Sequence, residues 1–189
     1  MIGNDIVDLK YISSNWQRPR FLEKVFTKKE QNLILISEHQ HQMIWLLWSM
    51  KEAAYKIHVQ QFGKRFFNPK RLVCELISED KGNVKIDNNS YYTNSIITED
   101  YIYTIAKQDQ DQDINSSVFK TENPSQSTQS NVLKQRLLKS ISERKELAIQ
   151  NLEINKTAIG VPEIYDNSVK LTIPLSLTHC GRFSGFAYH

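Results

Sequence analysis

The sequence predicts an α+β protein in which an antiparallel sheet packs against one long central helix. Met43–Val59 contains no glycine or proline and sets Ile44, Leu47, Trp48 and Tyr55 at helical spacing. YYTNSIIT and YIYTIA, within Tyr91 to Ala106, are rich in aromatic and β-branched residues and are separated by a polar turn, the pattern of an antiparallel meander. LTIPLSL and FSGFAY, at the end of the chain, read as two further strands joined by the tight segment THCGR.

The remaining elements follow in order. Ile2 to Leu9 is short and β-branched enough for a strand, on which Asp5 and Asp8, three apart, face opposite sides. Phe21 to Glu38 reads as helix with an interruption, where Thr27 can cap a second helix and Glu30 completes a capping box. Gly63 suits the end of the central helix. Phe66 to Ile77 and the turn around Gly82 extend the meander. QDQDQDINSSVFKTENPSQSTQSN, residues 108–131, is nearly free of large apolar side chains and reads as a flexible loop inserted in the domain. Helical spacing resumes over 132–152 through Leu133, Leu137, Ile141 and Leu147. No internal repeat is evident, and 189 residues fit a single domain spanning 1–189.

Composition excludes several classes. Hydrophobic residues make up 40% and charged residues 24%, ordinary for a soluble globular chain. A net charge of +3 does not mark a nucleic-acid binder, although it suits an acidic partner or a phosphorylated ligand. Two cysteines without CxxC spacing suggest neither a zinc site nor a disulfide framework. The start, MIGNDIVDLK, lacks the basic and apolar regions of a signal peptide, and IWLLW is far too short for a membrane span. A cytoplasmic protein that binds neither membrane nor nucleic acid is the expectation.

Three stretches can carry chemistry. In WSMKEAAYK, Trp48, Glu52 and Lys56 share one helix face, with Lys51 about a quarter-turn away. The plain reading is a solvated Glu-Lys pair worth ~0.3 kcal/mol. Against it, Glu52 lies between Trp48 and Tyr55, and a carboxylate on aromatic surface is costly unless it meets a cation. In GNDIVDL, Asp5 either solvates a strand end or offers a hard oxygen ligand, and Gly3 lets another group approach the backbone. Magnesium, which takes one or two carboxylates and fills its shell with water and phosphate oxygens, would suit Asp5 with Glu52. In PLSLTHCGRF, His179 is either structural or, with Ser176, Thr178 and Arg182, part of a phosphate site. The basic stretch GKRFFNPKR, 63–71, is a surface loop or else offers Lys64 or Arg65 to a phosphate or an acidic protein face.

Together these stretches resemble the 4'-phosphopantetheinyl transferase superfamily. GNDIVDL is similar to its G-x-D-I-x-E/D segment, FLEKVFTKKE to its F-x-x-R/K-x-F-T-x-x-E segment, and WSMKEAAYK to its W-x-x-K-E-A-x-x-K signature. GVPEIY with IPLSLTHCGRFSGFAY resembles its G-x-P and S-x-S/T-H-S-G elements. The resemblance implies transfer of the 4'-phosphopantetheine arm of coenzyme A to a serine of an acyl or peptidyl carrier protein of fatty-acid, polyketide or peptide synthesis. By matching position, Asp5 and Glu52 would hold Mg²⁺, Glu52 and Lys56 would act in catalysis, and His179, Thr178, Lys51, Lys64 and Arg65 would bind coenzyme A. Length and motif order are nearer the holo-acyl-carrier-protein synthase type, a homotrimer, whereas the GVPEIY to SLTHCGRF region is nearer the surfactin type. Monomer and homotrimer are both compatible. Val7 stands where surfactin-type members carry a further acid. The alternative is a non-catalytic module that binds coenzyme A or a carrier protein.

Overall fold

The computed structural model of the chain describes residues 1–12, 15–121 and 126–189. The first half runs through strand β1 (Ile2–Asp8), helices α1 (Phe21–Val25), α2 (Lys28–Ile36) and α3 (Gln40–Phe62), then strands β2 (Val73–Leu76), β3 (Lys81–Ile86), β4 (Asn89–Ile97) and β5 (Tyr101–Lys107). The second half runs through β6 (Asn115–Lys120), α4 (Gln126–Lys145), β7 (Leu152–Lys156), β8 (Pro162–Asp166), β9 (Val169–Lys170), β10 (Leu175–Cys180) and β11 (Phe183–Tyr188).

Local chemistry explains the helix boundaries. The Thr27 hydroxyl accepts from the Glu30 amide while Glu30 accepts from the Thr27 amide, so α2 begins on the expected capping box. Gly63 ends α3 at φ 65°, a left-handed conformation that glycine adopts without a Cβ penalty. α3 is longer than its apolar core segment, extending beyond Met43–Val59 by three residues at each end, to Gln40 and to Phe62.

The first sheet has the order β1-β5-β4-β3-β2 and is antiparallel throughout. Leu47, Met50, Ala54 and Ile57 of α3 are fully buried in one core with Val84, Tyr91, Ile102 and Ala106 of the sheet. Removing each of the larger of these side chains, such as Leu47, Met50 or Ile57, from water contributes about 1.5–3 kcal/mol, so this face fixes how α3 lies on the sheet. At Gly3 the contact is backbone to backbone: a Cβ there would stand 2.0 Å from the Ala53 carbonyl oxygen. The close approach expected at Gly3 is therefore made by α3 itself.

The second half repeats this plan, which the sequence did not reveal. Each half opens on a strand, continues through helix (α1–α3 in the first, α4 in the second) and then through consecutive strands, four in the first half and five in the second, and in each the last strand pairs antiparallel with the first, β1 with β5 and β6 with β11. The second half divides its strands between two three-stranded sheets, β10-β11-β6 and β7-β8-β9. Leu133, Leu137 and Ile141 of α4, four residues apart, bury against Ile154, Ile164, Phe186 and Tyr188.

A seam joins the halves along the free edge of β1. The Ser176 hydroxyl accepts from the Asn4 amide at 3.0 Å and the Thr178 hydroxyl from the Ile6 amide at 3.2 Å. From α3, Lys56 donates to the carbonyls of Asn4 (2.6 Å) and Leu177 (3.3 Å), and Gln60 donates to those of Ile2 (2.8 Å) and Leu175 (3.4 Å). Side chains thus satisfy backbone groups that a sheet partner would otherwise meet. Ile6, Tyr103 and Phe183 fill the apolar space beside the seam.

Two expectations are corrected. Residues 108–131 are not one polar loop: Asn115–Lys120 pairs with β11, and Phe119 buries in the second core. One apolar side chain and a ready sheet edge outweigh the polar composition. Part of that stretch, 122–125, lies outside the described residues. The helix expected over 132–152 ends instead at Lys145, and Leu152 already begins β7.

Candidate active site

The seam places three of the candidate residues together. Asp5, on β1, carries a carboxylate with 13% of its side chain exposed, 3.6 Å from Lys56 Nζ. Thr178 Oγ1, while accepting from Ile6, lies 3.4 Å from Asp5 Oδ1 and donates to it. Burial pushes the Asp5 pKa up, against the opposing pull of Lys56, Ser49 and Thr178. One turn of α3 before Lys56 stands Glu52, whose pKa rises to about 7 through burial and then through the charge of Asp5. No hydrogen bond or ion pair meets the Glu52 carboxylate among the described residues.

Glu52 and Lys56 line a cavity of about 300 Å³ between α3 and the β7–β8 hairpin. Two more cations line it, Arg65 from the loop after α3 and Lys156 from the end of β7. Arg65 Nε donates to the Ile159 carbonyl at 2.7 Å, which fastens that loop to the hairpin. Gly160, at φ 78°, is what lets the guanidinium lie there: a Cβ would meet Arg65 Nη2 at 2.3 Å. The cavity therefore has one desolvated carboxylate and three positive groups, a lining suited to a polyphosphate with a divalent cation.

No group of three or more His, Cys, Asp or Glu side chains that could cage a metal occurs among the described residues. Two neighbouring carboxylates do occur, the charge of Asp5 raising the cost of ionising Glu52, and Glu52 has no hydrogen-bond partner among the described residues. Magnesium binds through one or two carboxylates and completes its shell with water and phosphate oxygens, so Asp5 and Glu52 fit it.

The other candidates fall elsewhere. Lys51 is 1% exposed; its ammonium lies 2.8 Å from the equally enclosed Glu30 carboxylate and also donates to the Pro69 and Leu72 carbonyls. Every N–H of that ammonium is used within the protein, so Lys51 positions α3 and has none left for a phosphate. Lys64 is exposed and does not line the cavity. His179 is not in a turn but near the end of β10, paired with Ser184. Burial and the charges of Lys56 and Lys156 lower its pKa, so its ring borders the cationic region without lining the cavity. Arg182 is also removed from phosphate duty: it grips the buried Asp8 through Nε at 2.8 Å and Nη2 at 2.7 Å. Burial raises the Asp8 pKa, but the hydrogen bonds from Arg182 and from backbone amides outweigh it and hold the carboxyl below its usual range.

Lys156 is the functional candidate that sequence reasoning missed. It stands four residues before Gly160 in INKTAIG, and only the folding of the β7–β8 hairpin against α3 brings it to the cavity. No helix among the described residues is long and apolar enough to cross a membrane.

A family model described as the 4'-phosphopantetheinyl transferase superfamily matches residues 1–106, the half carrying Asp5, Glu52 and Lys56. No curated protein matches the chain. Among solved structures, the holo-[acyl-carrier-protein] synthase of Thermotoga maritima aligns over 89% of this chain and 83% of its own, with 12% identity and a TM-score of 0.42.

Proposed function

The chain belongs to the 4'-phosphopantetheinyl transferase superfamily, and we propose that it transfers the 4'-phosphopantetheine arm of coenzyme A to a serine of an acyl or peptidyl carrier protein with Mg²⁺ bound by Asp5 and Glu52. The observation that carries this reading is the Glu52 carboxylate, desolvated, without a hydrogen-bond partner among the described residues and next to Asp5, on the wall of a cavity lined by three cations.

Arg65 and Lys156 supply fixed positive charge for the phosphates of coenzyme A, and His179 adds a donor at the border of the same region. Lys56 is held by the Asn4 and Leu177 carbonyls, so its charge stands preorganised between Asp5 and the cavity, where charge develops on the phosphates. A bound Mg²⁺ would supply the positive charge that neutralises the pyrophosphate and its leaving half. The carrier serine oxygen forms a bond to the pantetheine-side phosphorus, the bond from that phosphorus to the bridging oxygen breaks, and adenosine 3',5'-bisphosphate leaves. Glu52, on the wall of the cavity beside Asp5, is placed to take the serine proton directly or through a water. Thr178 acts through Asp5, which it orients by its hydroxyl. Phosphoryl-type transfer asks chiefly for positioning and charge stabilisation, and these groups provide both.

The test is incubation of the purified protein with coenzyme A, Mg²⁺ and several apo carrier proteins, followed by intact mass. A carrier gaining the mass of one phosphopantetheine supports the reaction. Carriers that a known transferase modifies but this protein leaves unchanged would overturn it.

A further inference from the structure

Glu52 stands between two hollows. On one side is the cation-lined cavity, and on the other a cleft of about 220 Å³ bounded by Trp48, Tyr55, Phe66, Phe67 and Pro69. The chemistry of the two is opposite: the first is built for phosphates, the second is aromatic. Within the second, consecutive residues behave differently. Phe66 is pinned, its ring edge-on to Tyr55 at 5.1 Å and to His58 at 5.5 Å, with the Arg71 guanidinium 4.8 Å above it. Phe67, next in the chain, is 98% exposed. A phenylalanine left wholly in water beside an apolar cleft forgoes burial that a partner could recover.

The rim tells which partner. GKRFFNPKR contains four basic residues and no acid, and Lys64 and Lys70 are exposed without an ion pair among the described residues. A reaction with two substrates needs two approaches to one carboxylate, and the phosphate approach is already occupied by Lys56, Arg65 and Lys156. We infer that the aromatic cleft receives the acceptor protein, an acidic polypeptide that seats an apolar side chain beside its serine there, with Phe67 as the anchor of the contact. The inference rests on the transfer reaction proposed above.

Phe67→Ser tests it, with Ile36→Ser, another exposed apolar residue at the end of α2, as control. High exposure of both side chains, 98% for Phe67 and 79% for Ile36, keeps the fold out of the comparison. Steady-state transfer is measured at varied carrier concentration, coenzyme A affinity by calorimetry without carrier, and oligomeric state by light scattering. The expected result is a KM for carrier raised about tenfold in Phe67→Ser and not in Ile36→Ser, with coenzyme A affinity within about twofold of wild type, as for loss of one interface anchor. An unchanged KM for carrier overturns the inference. Weaker coenzyme A binding overturns it by giving the cleft to the donor, and a change of oligomeric state overturns it by giving the cleft to a second copy of this chain. Failure of the wild type to modify any carrier is read separately, and it refutes the reaction itself.

Discussion

Lys51 and Glu30 meet at 2.8 Å with both side chains closed to solvent, one residue before the carboxylate that faces the cavity. The pair ties the capped start of α2 to the middle of α3, and Glu30 also accepts from the Cys74 amide at 2.7 Å, drawing in β2. A buried ion pair adds little over a well-packed apolar pair, but removing one partner strands a charge. Lys51→Met is therefore expected to cost ~3–5 kcal/mol in urea denaturation, with Glu30→Gln added to it recovering part of the loss. Activity should decline in step with the folded fraction, because Lys51 touches no substrate.

Gly3→Ala should separate the two carboxylates. A methyl group 2.0 Å from the Ala53 carbonyl oxygen cannot rotate away, so β1 must move off α3. We expect a loss of ~1–3 kcal/mol, and a fall in divalent-cation affinity in the fraction that remains folded. Thermal unfolding together with metal titration checks both.

Stability without metal should fall as pH rises from 5 to 8. The Glu52 pKa is raised from 4.5 to about 7 in the folded state, so its protonated form is the one the fold prefers. The corresponding stability is fully present below about 4.5 and is lost as pH climbs through about 7. Asp5, shifted in the same direction, adds to the trend. His179 is shifted down and opposes it below its usual range. Scanning calorimetry should find that Glu52→Gln flattens the decline, and that Mg²⁺ raises the wild-type Tm more at pH 8 than at pH 5.

Lys156→Ala should leave a folded protein, since the side chain is exposed at the end of β7, and should weaken coenzyme A binding about tenfold. Part of the remaining wild-type advantage should disappear in high salt, where exposed charges are screened. Calorimetry at two ionic strengths reads both effects.

The legible parts of this chain were those encoded locally. The Thr27–Glu30 box, the Gly63 cap and the α3 stripe announce themselves within a few residues, and all three occur as read. Asp5, Glu52 and Lys56 could be picked out because each sits in a short motif of unusual chemistry. What local pattern could not supply was depth and pairing. Lys51 and Lys56 look equivalent in WSMKEAAYK, yet one is enclosed by Glu30 and the other reaches the cavity, a difference set by which element covers each face of α3. Arg182 looks free in THCGR, but β1 brings Asp8 to it. β6 hides in a polar stretch because its strand is stabilised by β11, sixty-odd residues later. The repeat of the two halves is likewise a matter of connection order, which side chains do not spell.

Among these expectations, the shared ion is central, and manganese binding followed by electron paramagnetic resonance tests it most directly. Wild type should bind one Mn²⁺ per chain, more tightly when coenzyme A is present, while Asp5→Asn and Glu52→Gln should each weaken binding by roughly tenfold or more. Equal affinity in wild type and both variants would contradict it.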